Sequence, residues 1–142
     1  LALDAKPNAA HKKLSELEAA GKLTGVVTQN IDGLHQAAGS KNVFELHGSV
    51  HRNYCQKCGK FFDVNYVVNA KGVPYCDECG GIIKPDVVLY EEGLDSQTIN
   101  GAVRAISKAD MLIIGGTSLV VYKQADLCIT DPIGEVLGRI RV

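Results

Sequence analysis

The sequence has 142 residues, 46% of them hydrophobic and 22% charged, with a formal net charge of −1 from 15 basic and 16 acidic side chains. This composition predicts one globular domain and excludes a disordered chain, a collagen-like fibre and a coiled coil. Because the charges balance, we expect no direct nucleic-acid partner. The longest apolar stretch, residues 111–122, is interrupted by Gly115 and Gly116. It is shorter than the roughly 20 residues that span a bilayer, so we expect no membrane partner.

A helix and then a strand are predicted at the start of the chain. Ala10 and Leu17 lie on one helical face, and Gly21 is placed to end the helix. Residues 23–28 are short and β-branched, which predicts a buried strand that leads into the polar loop 29–33. The chain opens without the basic segment or apolar core of an export signal and without Met, so we expect a cut end and no export.

A second short strand, residues 43–46, places His47 directly after its end. From residue 53 to residue 83 the sequence changes to cysteine pairs and glycines with little helical periodicity. We therefore predict three segments: residues 1–52 as the first part of an α/β domain, residues 53–83 as an inserted metal-binding module, and residues 84–142 as the second part of the α/β domain.

After the insert, residues 87–90 predict a strand, and Asp95 or Ser96 can cap the helix that follows. Residues 111–114 are a continuous apolar run of strand length, as expected where both faces of a sheet are covered. Cys128 lies in another short strand-like run, where we expect a buried, small apolar side chain.

Asp131 and Pro132 are suited to cap and begin a final helix. Strands that alternate with helices predict an α/β fold with a mostly parallel sheet covered by helices on both faces. Ligands of such sheets bind beyond the carboxyl ends of the strands. The loops that follow Thr28, Leu46 and Ile114 are therefore the candidate binding sites.

Two Cys-x-x-Cys pairs give the most specific signal that spacing alone provides. They consist of Cys55, Cys58, Cys76 and Cys79, with 17 residues between the pairs. This spacing indicates a four-thiolate zinc site in a reducing compartment, so we expect a cytoplasmic protein. Two disulfides or a redox pair are the disfavoured alternatives. Four thiolates leave no position for water or substrate, so the zinc is expected to be structural.

The polar loops permit functional and structural interpretations. Asn30 and Asp32 could orient a ribose or a carboxamide, or could equally form an Asx turn and a helix cap. Residues 115–118 could approach a phosphate closely, but they lack the G-x-G-x-x-G pattern. His47 alone among the four histidines ends a strand, where an imidazole could act as a general base, although a structural role is the commoner one. His51 is expected to be a surface or packing residue.

Four motifs follow one another along the chain. They are residues 28–35 (TQNIDGLH), residues 45–49 (ELHGS), the two cysteine pairs and residues 116–119 (GTSL). In this order they closely resemble the sirtuin family of NAD-dependent protein lysine deacylases, especially its bacterial members. The resemblance implies a Rossmann-like parallel sheet with helices on both faces plus a small zinc module. It also implies that an acyl-lysine peptide and NAD meet in the cleft between these two parts.

The resemblance also assigns a role to each matching residue. His47 matches the catalytic base, and Asp32 matches the residue that recognises the nicotinamide carboxamide. The residues that match the nicotinamide and ribose site are Gln29, Asn30, Ile31 and Asp32. Those that match the adenosine side of NAD are Gly116, Thr117, Ser118 and, by a looser alignment, Asp131. The strand to which the substrate peptide adds is matched by Val88, Leu89 and Tyr90.

The implied reaction begins when the acyl oxygen attacks the anomeric carbon of the nicotinamide ribose and nicotinamide leaves. His47 then takes a proton from the ribose hydroxyls, and a ribose oxygen attacks the resulting imidate. The products are free lysine, nicotinamide and an acyl ester of ADP-ribose. NAD is therefore a co-substrate, and zinc takes no part in the chemistry.

The chain also departs from the family pattern. It starts after the family's first strand and its glycine-rich pyrophosphate loop. Between Tyr122 and Lys123 the family has a further helix, a strand and an adenosine loop, so we predict that a segment is missing at this join. We expect little or no turnover from these 142 residues alone. Glu91 stands where many members have glycine.

Two other functions remain as alternatives. The first is a zinc-ribbon module that binds protein without catalysis, for which Phe61, Phe62 and Tyr66 could form a contact surface or a small core. The second is a sirtuin-like enzyme that transfers ADP-ribose to protein by the same release of nicotinamide.

Overall fold

A computed structural model describes residues 3–116 and 126–141, which form two compact units. The first unit consists of Leu1–Val26, Leu34–Val43 and Gly101–Val142, and the second consists of Val27–Gly33 and Phe44–Asn100. In chain order the elements are α1 (Ala9–Ala19), β1 (Val26–Thr28), α2 (Leu34–Ala37), β2 (Val43–Glu45), β3 (Gly48–Cys55), β4 (Phe61–Asp63), α3 (Val64–Val68), β5 (Ile83–Val87), α4 (Ser96–Ser107) and α5 (Ile133–Gly138). Both the predicted insert and His47 lie within the second unit.

Helix α1 confirms the first predicted helix. The side chain of Asn8 caps its start by accepting a hydrogen bond from the Ala10 N–H at 2.9 Å. Ala10 and Leu17 are buried. Gly21 follows the helix with a φ of 69°, a left-handed conformation that glycine adopts without strain.

Two later helices differ in how they begin. Asp95 caps α4, as predicted, by accepting hydrogen bonds from the N–H and hydroxyl of Thr98 at 2.7 and 2.8 Å, and these bonds lower the pKa of the Asp95 carboxyl. Asp131 does not cap α5: Pro132 occupies the N-cap position, and no side chain bonds to the helix start. Within residues 3–116 and 126–141, every helix is too short or too polar to cross a bilayer.

The strand predicted at residues 111–114 is not formed. These four apolar side chains have exposed fractions between 51% and 76%, and no strand of the described residues pairs with them. A strand needs a ladder partner for its N–H and C=O groups, so the apolar pattern alone does not produce one. Cys128 is exposed as well, because the run around it also forms no strand, so the prediction of a buried thiol was wrong.

Strands β1 and β2 form the parallel pair that the sequence predicts. The Val26 N–H donates to the carbonyl of Asn42, and the Leu46 N–H donates to the carbonyl of Thr28, both at 2.9 Å. Because the two strands run in the same direction, they end at the same edge. The polar loop 29–33 and His47 follow these two ends.

Strands β4, β3 and β5 form an antiparallel sheet in that order. Its inner face carries a small core made of Cys55, Phe62, Cys76 and Ile83. Strand β5 ends at Val87, so the strand predicted at residues 87–90 was misplaced. Residues 88 and 89 continue without regular strand pairing, and residues 90 and 91 form a turn.

Candidate functional site

The backbone at His47 and Gly48 is held by contacts with the end of β5 and the residue that follows it. The carbonyl of His47 accepts a hydrogen bond from the Val88 N–H at 3.1 Å. Gly48, the first residue of β3, pairs with Val87 and has a φ of 75°. These contacts place His47 between the end of β2 and the segment that follows β5.

His47 contributes to a pocket of about 680 Å³ that lies entirely within the second unit. Its lining comprises the polar loop after β1, His47 itself and the segment after β5, namely Gln29, Asn30, Ile31, Asp32, His47, Val87, Val88, Leu89, Tyr90, Glu92 and Leu94. The structure therefore brings together all the residues that the resemblance assigned to the base, the nicotinamide side and the peptide strand. The volume lies within the range of small-molecule sites.

The polar loop is fixed by contacts from β1 and β3. The Asn30 N–H donates to the hydroxyl of Thr28 at 3.0 Å. The carbonyl of Ile31 accepts from the Val50 N–H at 3.1 Å, and the carbonyl of Asp32 lies 2.9 Å from Nε2 of His51. The interpretation of His51 as a surface or packing residue missed this contact, since nothing in the sequence pattern links residue 51 to the loop.

An ionic cluster connects strands β2, β3 and β5. Arg52 contacts Glu45 through Nη1 at 2.7 Å and Asp86 through Nε at 2.8 Å. Partial burial opposes protonation, but the hydrogen bonds to Glu45 and Asp86 raise the pKa of the Arg52 guanidinium. The three residues belong to β2, β3 and β5, so the cluster links the strand before His47 with the strand before Val88. No local sequence pattern predicts this cluster, because its members are distant along the chain.

The segment after β5 is folded around Glu92. The Leu89 N–H donates to Oε2 of Glu92 at 2.9 Å, and Nζ of Lys84 contacts the same oxygen at 3.1 Å. These two contacts lower the pKa of the Glu92 carboxyl, and the hydrogen bond from the Leu89 N–H has the larger effect. Tyr90 is fully exposed, and Glu91 has a φ of 70°, which is unusual for a residue other than glycine.

Replacing Gly48 by alanine should strongly destabilise the second unit. A Cβ at this position would overlap the backbone carbonyl oxygen of Asp86, and the φ of 75° disfavours any L side chain. We expect the free energy of unfolding to fall by about 3 kcal/mol or more, as measured by urea unfolding.

Gly72 provides the matched control for this substitution. It also has a positive φ, 91°, but a Cβ there would meet no atom within 4 Å. We expect Gly72→Ala to lower the free energy of unfolding by about 1–2 kcal/mol, which is the cost of placing an L residue in the left-handed backbone conformation. If Gly48→Ala and Gly72→Ala lowered the free energy of unfolding equally, the close contact between Gly48 and Asp86 would not affect stability.

The four paired cysteines form a compact cluster that includes Cys55, the last residue of β3. All four sulfur atoms lie within 4.8 Å of one another. The sulfurs of Cys55 and Cys79 are 3.4 Å apart, and those of Cys58 and Cys76 are 3.7 Å apart. In a tetrahedral site with Zn–S bonds of about 2.3 Å, the sulfurs are roughly 3.8 Å apart. The four residues are thus positioned to bind a zinc ion.

The backbone of the module supports this cluster. Gly59 and Gly80 have φ values of 74° and 66° and close the turns after the two cysteine pairs, as predicted. The N–H of Cys58 is the main cause of a lowered Cys55 pKa, to about 6. A thiolate is the form that binds a metal, so this hydrogen bond favours the metal-binding form of Cys55. At Cys58 and Cys79 a backbone N–H acts to lower the pKa, but contacts with other cysteine sulfurs and burial outweigh it and the pKa is raised. Lys60 contacts Asp77 at 2.8 Å and Glu78 at 2.9 Å, which links the two cysteine turns.

The residues predicted to bind the adenosine side of NAD do not belong to the second unit, which contains the His47 pocket, or they lie outside the described residues. Gly116 has a φ of 70° and Asp131 is exposed, and both belong to the first unit. Thr117, Ser118 and the join between Tyr122 and Lys123 lie outside the described residues. Their assignments and the missing segment stay predictions.

The sequence model of the Sir2 family matches residues 1–123. The chain belongs to the Sir2 family. A Clostridium acetobutylicum protein named NAD-dependent protein deacetylase is 57% identical over 163 residues, covering 96% of this chain and 66% of its own length. A Clostridium tetani protein of the same name is 65% identical over 124 residues, covering 87% of this chain and 50% of its own. This Sir2-family chain therefore spans one half to two thirds of the length of these relatives.

Solved sirtuin structures share the fold of this Sir2-family chain. One described as "The Structural basis of Sirtuin Substrate Affinity" has a TM-score of 0.80 and 45% identity, covering 85% of this chain and 51% of its own. Another, described as "Sir2-p53 peptide-NAD+", has a TM-score of 0.77 and 42% identity. The match covers 94% of this chain and 53% of the chain in that structure. The predicted α/β fold, a Rossmann-like parallel sheet with helices on both faces and a small zinc module, is thereby confirmed.

Proposed function

We propose that the whole protein removes acetyl or related acyl groups from protein lysines, with NAD as co-substrate, and forms nicotinamide and O-acyl-ADP-ribose. One observation carries this proposal: a single pocket is lined by His47, by the Asn30–Asp32 side of the polar loop and by the segment after β5. Membership of the Sir2 family and relatives named NAD-dependent protein deacetylase support it.

His47 is the proposed general base. Bound NAD supplies the ribose that accepts the acyl group and the nicotinamide that leaves. His47 takes a proton from a ribose hydroxyl, so that the hydroxyl oxygen can attack the acyl carbon. The Val88 contact fixes the backbone of His47 beside the proposed peptide segment. The base and the acyl-lysine are therefore positioned by the same pair of chain segments.

The polar loop is the proposed site of the nicotinamide and its ribose. Gln29, Asn30 and Asp32 offer amide and carboxylate groups, and these are suited to orient hydroxyls and a carboxamide. We assign the carboxamide to Asp32. The adenosine side of NAD is assigned to Gly116, Thr117, Ser118 and Asp131.

The proposed substrate segment is Val88, Leu89 and Tyr90. The Val88 N–H already donates to His47, whereas the Leu89 N–H donates to the Glu92 carboxylate. An acyl-lysine peptide that adds as a neighbouring strand would form main-chain hydrogen bonds with this segment. Side chains that flank the lysine would then contribute little to the affinity.

The four thiols of the zinc cluster need a reducing environment to stay available to the metal. We therefore propose the cytoplasm as the compartment of this protein. The zinc shell contains only cysteine sulfurs, and the zinc is assigned a structural role.

An assay with the whole protein, NAD and an acetyl-lysine peptide tests the proposed function. We expect nicotinamide and free lysine to form in equal amounts, measured by chromatography. Nicotinamide without free lysine would instead indicate ADP-ribose transfer to protein. The absence of both products would contradict the proposal and favour a non-catalytic zinc module.

A further inference from the structure

Strand β3 contains an irregularity next to the candidate site. Ser49 pairs with Asp86 and Asn53 pairs with Pro85, so three residues of β3 lie between two adjacent residues of β5. These three residues, Val50, His51 and Arg52, form what we term the β3 bulge. A bulge leaves residues outside the ladder with one neighbouring strand, here β5, and redirects side chains, and bulges are frequent beside active sites. Arg52 still pairs with Asp63 of β4.

The β3 bulge contacts the polar loop through two adjacent residues. The Val50 N–H donates to the Ile31 carbonyl at 3.1 Å, which is a main-chain contact and so independent of the side chain at residue 50. Nε2 of His51 lies 2.9 Å from the Asp32 carbonyl oxygen. Since a carbonyl can only accept, Nε2 must carry the proton and donate it.

The His51 ring also packs on Gly33. A Cβ at Gly33 would lie 2.8 Å from Cδ2 and 3.0 Å from Nε2 of the ring, and Gly33 has a φ of 69°. The imidazole thus lies over the backbone at Gly33 while it bonds to the preceding carbonyl. One side chain fixes both the position and the direction of the Asp32–Gly33 peptide.

We infer that His51 is a positioning residue for the nicotinamide side of the NAD site. The inference rests on the proposed function, because it takes the polar loop to be the site of nicotinamide and ribose. His51 acts through Asp32, since Asp32 lines the pocket, whereas His51 is not among the lining residues and its ring bonds to the Asp32 carbonyl. The peptide segment at Val88 has its own contacts, with His47, and does not depend on His51.

Two variants of the whole protein separate the hydrogen bond from the bulk of the ring. His51→Leu removes the donor and keeps an apolar side chain of similar size, whereas His51→Gln keeps an N–H donor at a similar reach. We expect His51→Leu to raise the KM for NAD and the inhibition constant of nicotinamide by about 3- to 10-fold, the loss typical of one hydrogen bond. The KM for the acetyl-lysine peptide should stay unchanged.

His51→Gln should recover most of the NAD affinity that His51→Leu loses. An unchanged KM for NAD in His51→Leu, or equal increases in the KM values for NAD and for peptide, would overturn the positioning role while the proposed function stands. Wild-type protein that releases no nicotinamide would instead overturn the proposed function, and the assigned role of His51 with it.

Discussion

Replacing His47 by alanine should lower the rate of deacetylation by about 10²- to 10⁴-fold, the contribution typical of a positioned general base. His47 is the only histidine that lines the pocket formed by the described residues, and its backbone is fixed by Val88. In the proposed reaction the base acts after nicotinamide has left. Exchange of labelled nicotinamide into NAD should therefore fall much less than the formation of free lysine, and both are measured in the same incubation.

His11→Ala is the matched control for this variant. His11 belongs to helix α1 in the first unit, where it takes part in the helix cap. We expect this control to deacetylate at the wild-type rate. A His47→Ala protein with full deacetylase activity would remove His47 from its assigned role and, with it, the proposed mechanism.

Replacing Cys76 by serine should release the metal and unfold the zinc module. Cys76 is buried in the small core with Phe62 and Ile83, so it contributes to both the metal site and the packing. Structural zinc contributes on the order of 10 kcal/mol in isolated finger peptides. We expect the thermal midpoint to fall by about 10 °C or more, with loss of bound zinc measured by a colorimetric chelator.

Cys128→Ser supplies a matched control with the same chemical change. Cys128 is exposed and lies outside the four-thiol cluster. Its replacement should leave both the zinc content and the thermal midpoint at their wild-type values. A Cys76→Ser protein that kept one zinc per chain and its thermal midpoint would contradict the assignment of the four-cysteine site.

Short sequence patterns were sufficient to predict the features that are determined by residues close together in the chain. The spacing of the cysteine pairs is set by the geometry of one ion, so it could be read directly from the sequence. The position of His47 follows from a short apolar strand that ends in a polar motif. Helix α1 was predicted for the same reason, because its apolar residues repeat at helical spacing and Gly21 lies within one turn of its end.

Long-range contacts could not be predicted in this way. The contact of His51 with Asp32 spans 19 positions of sequence, and that of Arg52 with Asp86 spans 34. Each involves a residue of the β3 bulge, which no local pattern specifies. The strand prediction for residues 111–114 was wrong for a related reason. An apolar run becomes a strand only when another strand pairs with it.

Strand β3 has Gly48 at one end, next to His47, and Cys55 at the other, in the four-thiol cluster. Gly48 and Cys55 are the ends of one strand of eight residues, and β3 pairs with both β4 and β5. An alkylating electrophile or a peroxide that attacked the thiolates would therefore disturb the strand that positions the base. Such reagents should abolish the proposed deacetylation without any covalent change at the imidazoles of the protein.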